Sequence, residues 1–478
     1  MAKKKKDKIK ISFVGGNSNE VTGSMILIET IDKKILLEAG LYQSSSIKES
    51  YEINSRRFDF KTTQIDYIFL NHQHIDHSGL LPRLYANGCK AKIITPKDSS
   101  KFLDILLKDS CRIMNSDREY LIKKHNKALL PIYTIEDVGT TLQYIEEYKF
   151  NELYKLDDTI SFMFVPSGHI IRAAQLVLYI TQNGHTKKLL YTSDIGNLNL
   201  CGIKPFIEPF EAVEKADISI VESTYANRER CIGIKDYEKD LEKMKSVINE
   251  TCILRESRVL IPSFSMDRSQ FILKILYDLF GKDESFNIPI IIDSPMTCNI
   301  FDVYKEILTG KDKELFEKMI NWKNVKFVRD SDESRSIVND KSPMVVLSSS
   351  GMLTKGRSKN YCKSILPNED ACILFCGFSV EGSLAWKIKN GTEQKTITID
   401  NKPIRNRCNI ISLQSLSSHI QRNDMINYYS SISTDKIYLV HGSMAGKIQL
   451  AKDLTKKLEE LNKSTKVIVV NKSTRAIL

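Results

Sequence analysis

Three of the chain's eight histidines fall within seven residues, Asn71-His72-Gln73-His74-Ile75-Asp76-His77, directly after the apolar run Tyr67-Ile68-Phe69-Leu70. No other feature constrains the fold as much. A short apolar run stopped by a polar cluster reads as a buried strand that ends at a loop. Side chains two apart in an extended segment share a side, so His72 and His74 project together. Asp76 and His77 come after the chain has turned, and can face a second point close by. Imidazole nitrogens and carboxylates are what borderline cations such as zinc take. A polar loop with incidental histidines is the weaker account of such a density.

The rest of the chain reads as strand, loop, helix, repeated. Runs at residues 11–14, 25–30, 34–37, 67–70 and 91–94 predict strands, and 99–114 has helical apolar spacing with Asp98-Ser99 placed to cap it. Strands resume at 160–165, 175–180, 188–192 and 218–221. From about residue 227 to 395, helical segments (236–249, 268–280, 297–308) alternate with short apolar strands (259–261, 288–292, 344–347, 372–375). Such alternation implies a parallel sheet. Strands return from Thr396, with one helix near 451–461. There is no internal repeat and no Gly/Ser- or Pro-rich linker. The 478 residues leave room for two or three domains. The layout predicts an inserted α/β domain at 226–395 within a larger α/β sandwich made of 1–225 and 396–478.

Composition removes several classes. Hydrophobic residues at 42% and charged residues at 27% are globular proportions. The longest apolar runs, such as residues 371–378, are far shorter than the ~18 residues a spanning helix needs, so no membrane partner is expected. Seventy basic against 59 acidic side chains leave +11, of which residues 3–10 carry +5. That excess suits a polyanion, and is equally the charge of a soluble protein. The basic start lacks the apolar segment and cleavage site of a secretory signal, since residues 9–14 alternate and end at Gly15-Gly16 as a first strand would. Ten cysteines without a CxxC pair, with Cys372 and Cys376 facing a core, suit a cytoplasmic protein with reduced thiols.

The run from His72 to His77 is an HxHxDH motif, and it resembles the metal-binding signature of the metallo-β-lactamase superfamily. Pro166-Ser167-Gly168-His169 resembles the next ligand motif, and Ser193-Asp194 the metal-bridging aspartate. Glu222-Ser223-Thr224-Tyr225, Ser417-Ser418-His419 and Val440-His441-Gly442 then follow in the order of the β-CASP branch. Those are the ribonucleases that include ribonuclease J and the pre-mRNA 3′-end cleavage endonuclease. Ile261-Pro262-Ser263-Phe264-Ser265, Asp293-Ser294-Pro295-Met296, Ser348-Ser349-Ser350-Gly351-Met352 and Phe375-Cys376-Gly377-Phe378 look like segments of its insert. The resemblance runs from Ile11 to Gly446. It implies a metallo-β-lactamase αββα sandwich with an inserted α/β β-CASP domain. Four places depart from it: Glu38 stands for Asp, Arg172 for Gly, Ile420-Gln421 for Ala-Asp, and Ser443 for Glu.

Carried over residue by residue, the resemblance implies two zinc ions per chain. One takes His72, His74 and His169. The other takes Asp76, His77 and His441, Asp194 bridges the two, and Glu38 stands behind them. Two divalent cations less two carboxylates and a hydroxide leave about one positive charge for a phosphodiester and its transition state. In that scheme the hydroxide held between the metals is the nucleophile. Asp76 belongs to the catalytic set, His419 is the general acid for the leaving ribose oxygen, and Glu222 holds its imidazole.

Ser349, Ser350 and Gly351 follow the apolar strand at 344–347 and could offer backbone N–H groups to a phosphate, with Lys355, Arg357 and Arg268 as nearby charge. An ordinary turn and solvated cations are the plain alternatives. His125 and His185 read as surface histidines. The expectation is a zinc-dependent ribonuclease acting on single-stranded RNA in processing or decay. Endonuclease and 5′-exonuclease are both open, and a homodimer is allowed. The competing readings are a DNA-directed nuclease of the same branch, a small-molecule hydrolase of the superfamily, and an inactive scaffold of an RNA-processing complex. The insert and the late His419 disfavour the second, and the complete ligand set disfavours the third.

Overall fold

The computed structural model describes residues 8–15, 21–228, 233–377, 379–471 and 473–478. Most of the basic start, Gly16 and Phe378 lie outside the described residues. The chain forms two compact units. One comprises Met1–Cys201, Ile207–Cys231 and Ser418–Leu478, the other Gly202–Phe206 and Ile232–Ser417.

The first unit is built on two seven-stranded sheets. In one, Arg475–Ile477, Lys10–Phe13, Ile26–Glu29 and Lys34–Leu37 pair antiparallel, and Tyr67–Phe69, Lys92–Pro96 and Ile145–Tyr148 continue it in parallel. The other runs Lys466–Val469, Lys436–Val440, Ile218–Glu222, His185–Tyr191, Ala174–Gln182, Ile160–Pro166, Tyr154–Lys155. Alternation along the strands decides the layering. Ile26, Ile28 and Phe69 join a core shared with Phe162, Phe164, Leu176 and Leu178 of the second sheet. Met25, Leu27 and Leu36 face the other way, onto Leu84, Leu103 and Leu107 of helices. On the far side Val177, Leu190 and Val221 meet Met425, Leu450 and Leu454. The result is helix, sheet, sheet, helix, the αββα sandwich that the resemblance implied. Phe69 meets Phe162 edge-on, with ring centroids 5.1 Å apart, a geometry aromatic pairs favour. The strand that delivers the histidines is thereby fixed from behind.

The helix expected at 99–114 runs instead from Ser99 to His125, and Asp98 does not cap it. Asp98 takes φ 66°, and its carboxylate pairs with Arg172 at 2.9 Å. Among the described residues no helix is long and apolar enough to cross a membrane.

In the second unit six parallel strands line up as Val325–Val328, Ile290–Asp293, Met344–Ser348, Arg258–Pro262, Cys372–Phe375 and Asn409–Ser412. Its four inner strands are buried along their length, as a parallel sheet covered on both faces requires. The unit does not stop at residue 395. Asn409–Ser412 adds in parallel to Cys372–Phe375, and the hairpin of Thr396–Ile399 with Lys402–Arg405 precedes it. Residues 396–417 therefore fold with the insert. Gly202–Phe206 joins the same unit, where Lys204 is buried against Asp267 at 3.0 Å.

Candidate metal centre

Tyr67–Phe69 ends at a loop, and a short helix, Ile75–Ser78, follows at once with His74 at its cap position. This switch from strand to helix creates the two-point display that the spacing predicted. Three more strands end at the same place: His169 follows Ile160–Pro166, Ser193-Asp194 follow His185–Tyr191, and His441 follows Lys436–Val440. Glu38, Ser193 and His441 take φ of 63°, 48° and 51°. Left-handed backbone in such residues costs roughly 1–3 kcal/mol and gathers where function demands it.

All seven expected ligands come together. Ligand atoms of His72, His74, His169 and Asp194 lie within 4.8 Å of one another, as do those of Asp76, His77 and His441. Asp194 reaches both groups. Its Oδ2 is 3.6 Å from His72 Nε2 and His169 Nε2 and 3.4 Å from His77 Nε2, and its Oδ1 is 3.3 Å from His441 Nδ1. His169 Nε2 stands 3.3 Å from His74 Nδ1, and His77 Nε2 3.1 Å from His441 Nε2. Two ligands held tetrahedrally at ~2.0–2.1 Å from zinc are about 3.3 Å apart. The spacing therefore fits an ion of that size. His72 Nε2 and Asp194 Oδ1 are buried without a hydrogen-bond partner, which costs about 1–3 kcal/mol apiece unless a cation takes them. Burial holds the His72 and His74 rings below the usual histidine range, hence neutral, as ligation needs. Burial disfavours a charged Asp194 as well, but His441 and His77 hold its carboxyl well below the usual carboxylate range.

Glu38 is fully buried, and its Oε2 lies 3.2 Å from His77 Nδ1. Its Oε1 accepts from the Ser193 hydroxyl at 3.1 Å and from the Asn71 N–H at 3.3 Å. The glutamate thus orients His77 so that Nε2 faces Asp194, the kind of outer contact that aims metal-binding histidines. Three contacts were not foreseen. The Ser193 hydroxyl is 3.2 Å from His72 Nδ1, the Thr224 hydroxyl 3.0 Å from His441 Nδ1, and the Ser418 carbonyl 3.3 Å from His169 Nδ1. Adjacency in the chain to a motif residue was the only signal for them.

The His419 segment is bridged to Gly196, and the Ile420 N–H donates to the Ile195 carbonyl at 2.9 Å. The His419 ring centroid is 4.5 Å from that of His169 and 5.3 Å from that of Tyr225. Nδ1 is 3.4 Å from Glu222 Oε1, which also accepts from the Ile195 N–H at 2.6 Å. Burial disfavours the charged ring, but the Glu222 carboxylate outweighs it and pushes the pKa up to about 9. The side chain stays 19% exposed, so a substrate oxygen could approach it. Two departures from the resemblance find reasons here. Ile420 belongs to the core outside the second sheet. Arg172 takes φ 62°, a conformation glycine favours, and is held by Glu208 and Asp98.

The residues expected to bind phosphate lie in the second unit. Ser349 and Ser350 are half-buried and Gly351 is buried. The Ser350 N–H donates to the Lys355 carbonyl at 3.3 Å. Arg268 is buried and donates to the Cys376 carbonyl at 3.0 Å. Arg357 pairs with buried Asp293 at 2.6 Å, so neither arginine is a solvated cation. His125 and His185 are exposed.

Three family models match the chain: the Metallo-beta-lactamase superfamily over residues 19–143, the Beta-Casp domain over 269–388, and the Zn-dependent metallo-hydrolase RNA specificity domain over 403–469. Ribonuclease TTHA0252 of Thermus thermophilus is 25% identical over 454 residues, covering 94% of this chain and 96% of that protein. Transcription termination factor FttA of Methanocaldococcus jannaschii is 27% identical, covering 91% of this chain and 67% of its own length. An RNase J-like protein of the same organism is 26% identical, with coverage of 94% and 96%. A crystal structure of a protein of unknown function from Enterococcus faecalis superposes with a TM-score of 0.55 at 13% identity, covering 98% of this chain and all of that one, a likeness of fold.

Proposed function

The chain belongs to the β-CASP branch of the metallo-β-lactamase superfamily, and from that premise we propose that it is a ribonuclease. It uses two zinc ions, one on His72, His74 and His169 and one on Asp76, His77 and His441, to hydrolyse phosphodiester bonds of single-stranded RNA. One observation carries the reading. His419, held by Glu222, stands beside a buried cluster whose spacing fits two small cations.

The ions would supply Lewis acidity towards the phosphate and a nucleophile at neutral pH. The remaining work falls to the chain's own residues. Asp194, within reach of both groups, would span the two ions. Asp76 would meet the second ion as its carboxylate ligand, beside the neutral rings of His77 and His441. Glu38 keeps His77 aimed. A ribose oxygen leaves poorly without a proton, and His419 donates it while the Glu222 carboxylate favours the charged ring. Relatives named ribonuclease and transcription termination factor support RNA over DNA. Among the described residues nine cysteines are free, which fits a reducing cytoplasm.

The test is incubation of the zinc-loaded protein with RNA and DNA oligonucleotides, 5′-phosphorylated and 5′-hydroxyl, with products mapped. RNA should be cut and a chelator should stop it. Intact RNA, or DNA cut equally well, would overturn the reading.

A further inference from the structure

A cleft of about 610 Å³ opens in the first unit beside strands Lys10–Phe13 and Ile26–Glu29, on the side that Met25 and Leu27 face. No residue of the metal cluster lines it. Gly40 does, and a Cβ there would fall 1.7 Å from the Asp76 carbonyl oxygen, so the cleft backs onto the short helix that carries Asp76. Seven basic side chains line it against two carboxylates, Glu29 and Asp59.

Some of that charge is already engaged. Lys10 and Lys34 share Glu29, and Arg83 donates to the carbonyls of Asn54 and Ser55. Arg56, Arg57 and Lys61 are different. They are exposed, and among the described residues no hydrogen bond or ion pair engages their side chains. They belong to the stretch Arg56-Arg57-Phe58-Asp59-Phe60-Lys61. Its two phenylalanine rings are 5.3 Å apart, and the Arg83 guanidinium lies over Phe58 at 4.8 Å. Both rings pack against the core beneath this side of the sheet and so floor the cleft, which leaves the three unengaged cations as what it offers a ligand. A basic groove of this kind is what tracks the phosphates of a single nucleic-acid strand.

We propose that this cleft is a second RNA-binding site, where single-stranded RNA extending beyond the metal centre sets its phosphates on Arg56, Arg57 and Lys61. The proposal rests on the ribonuclease reading. The site raises affinity for long RNA and takes no part in bond cleavage.

The experiment compares wild type with an Arg56→Ala, Arg57→Ala, Lys61→Ala triple variant, whose lost side chains hold nothing in the fold. Each phosphate contact on a single strand contributes ~0.7 to the slope of log affinity against log salt. The variant should bind a long oligoribonucleotide roughly tenfold more weakly, and its slope should be shallower by about 2. A nitrophenyl phosphodiester, too small to reach the cleft, should turn over at the wild-type rate. Equal affinity and slope for long RNA in the two proteins would overturn the proposal while leaving the ribonuclease reading intact. A wild type that neither binds nor cuts RNA would remove both, and the wild-type arm alone reveals that case. Displacement of long RNA by mononucleotides at comparable concentration would make the cleft a site for small phosphates and overturn the RNA assignment.

Discussion

Replacing His419 with alanine separates proton donation from metal holding, because the ring stands against His169 but outside the seven-residue cluster. Loss of a general acid costs ~10²–10⁴ in rate. RNA cleavage should fall by that factor while zinc content, read by atomic absorption, is unchanged. A nitrophenyl diester, whose leaving group needs no proton, should suffer far less. Glu222→Gln should follow the same pattern more mildly, since it tunes His419 from behind. Equal losses on both substrates would mean that His419 positions the phosphate instead. The His72→Ala, His74→Ala double variant should lower bound zinc below the two equivalents expected of the wild type. Undiminished metal there would end the ligand assignment. At this scale the sequence was most legible where the candidate ligands are neighbours in the chain. His72, His74, Asp76 and His77 announce themselves by spacing. The hydroxyls of Ser193 and Thr224 do not, since serine and threonine carry no signature until a partner imidazole is beside them.

Among the elements, Met444–Glu460 carries a pH-sensitive group in its first turns. Lys447 is fully buried there and donates to the Val470 carbonyl at 2.7 Å. Burial pushes its pKa down to about 8, whereas an unfolded lysine titrates near ~10.4. Below pH ~8 both states hold the proton and the cost of the buried charge is fully present. Between the two values the unfolded chain binds more protons, so stability rises with pH. Lys447→Met should lack that rise. Melting temperatures taken from about pH 7 to about pH 10 should improve for wild type relative to the variant, and parallel curves would contradict the assignment. Strands were legible here because alternation is periodic: Lys34–Leu37 and Tyr67–Phe69 match their expected runs to within a residue. Caps were less so. Asp98 has the right identity for an N-cap, but a salt bridge to Arg172, 74 residues away, claims its carboxylate.

Every residue of the metal cluster belongs to the first unit, which sets an expectation for the whole molecule. A ligand bound only by the folded state stabilises it by RT ln(1 + [L]/Kd), ~2.7 kcal/mol at a hundredfold excess over Kd. Calorimetry should therefore show one transition that a chelator moves down and another that it leaves in place. Both moving together would show that the two units unfold as one cooperative body. The sequence by itself determined the parallel sheet of the insert and the gathering of His72, His74, Asp76 and His77 at a strand end, since both rest on periodicity and spacing that short-range sterics impose. The αββα sandwich and the parts of His169, Asp194 and His441 were implied by the resemblance of their motifs. Tertiary structure alone decided that residues 396–417 fold with the insert, that Arg268 and Arg357 are engaged within the second unit, and that Arg56, Arg57 and Lys61 border a cleft. Glu38 meets Ser193 across 155 residues and His77 meets His441 across 364. A contact closed over such a loop leaves no period in the chain, and only packing of the finished sheets selects it.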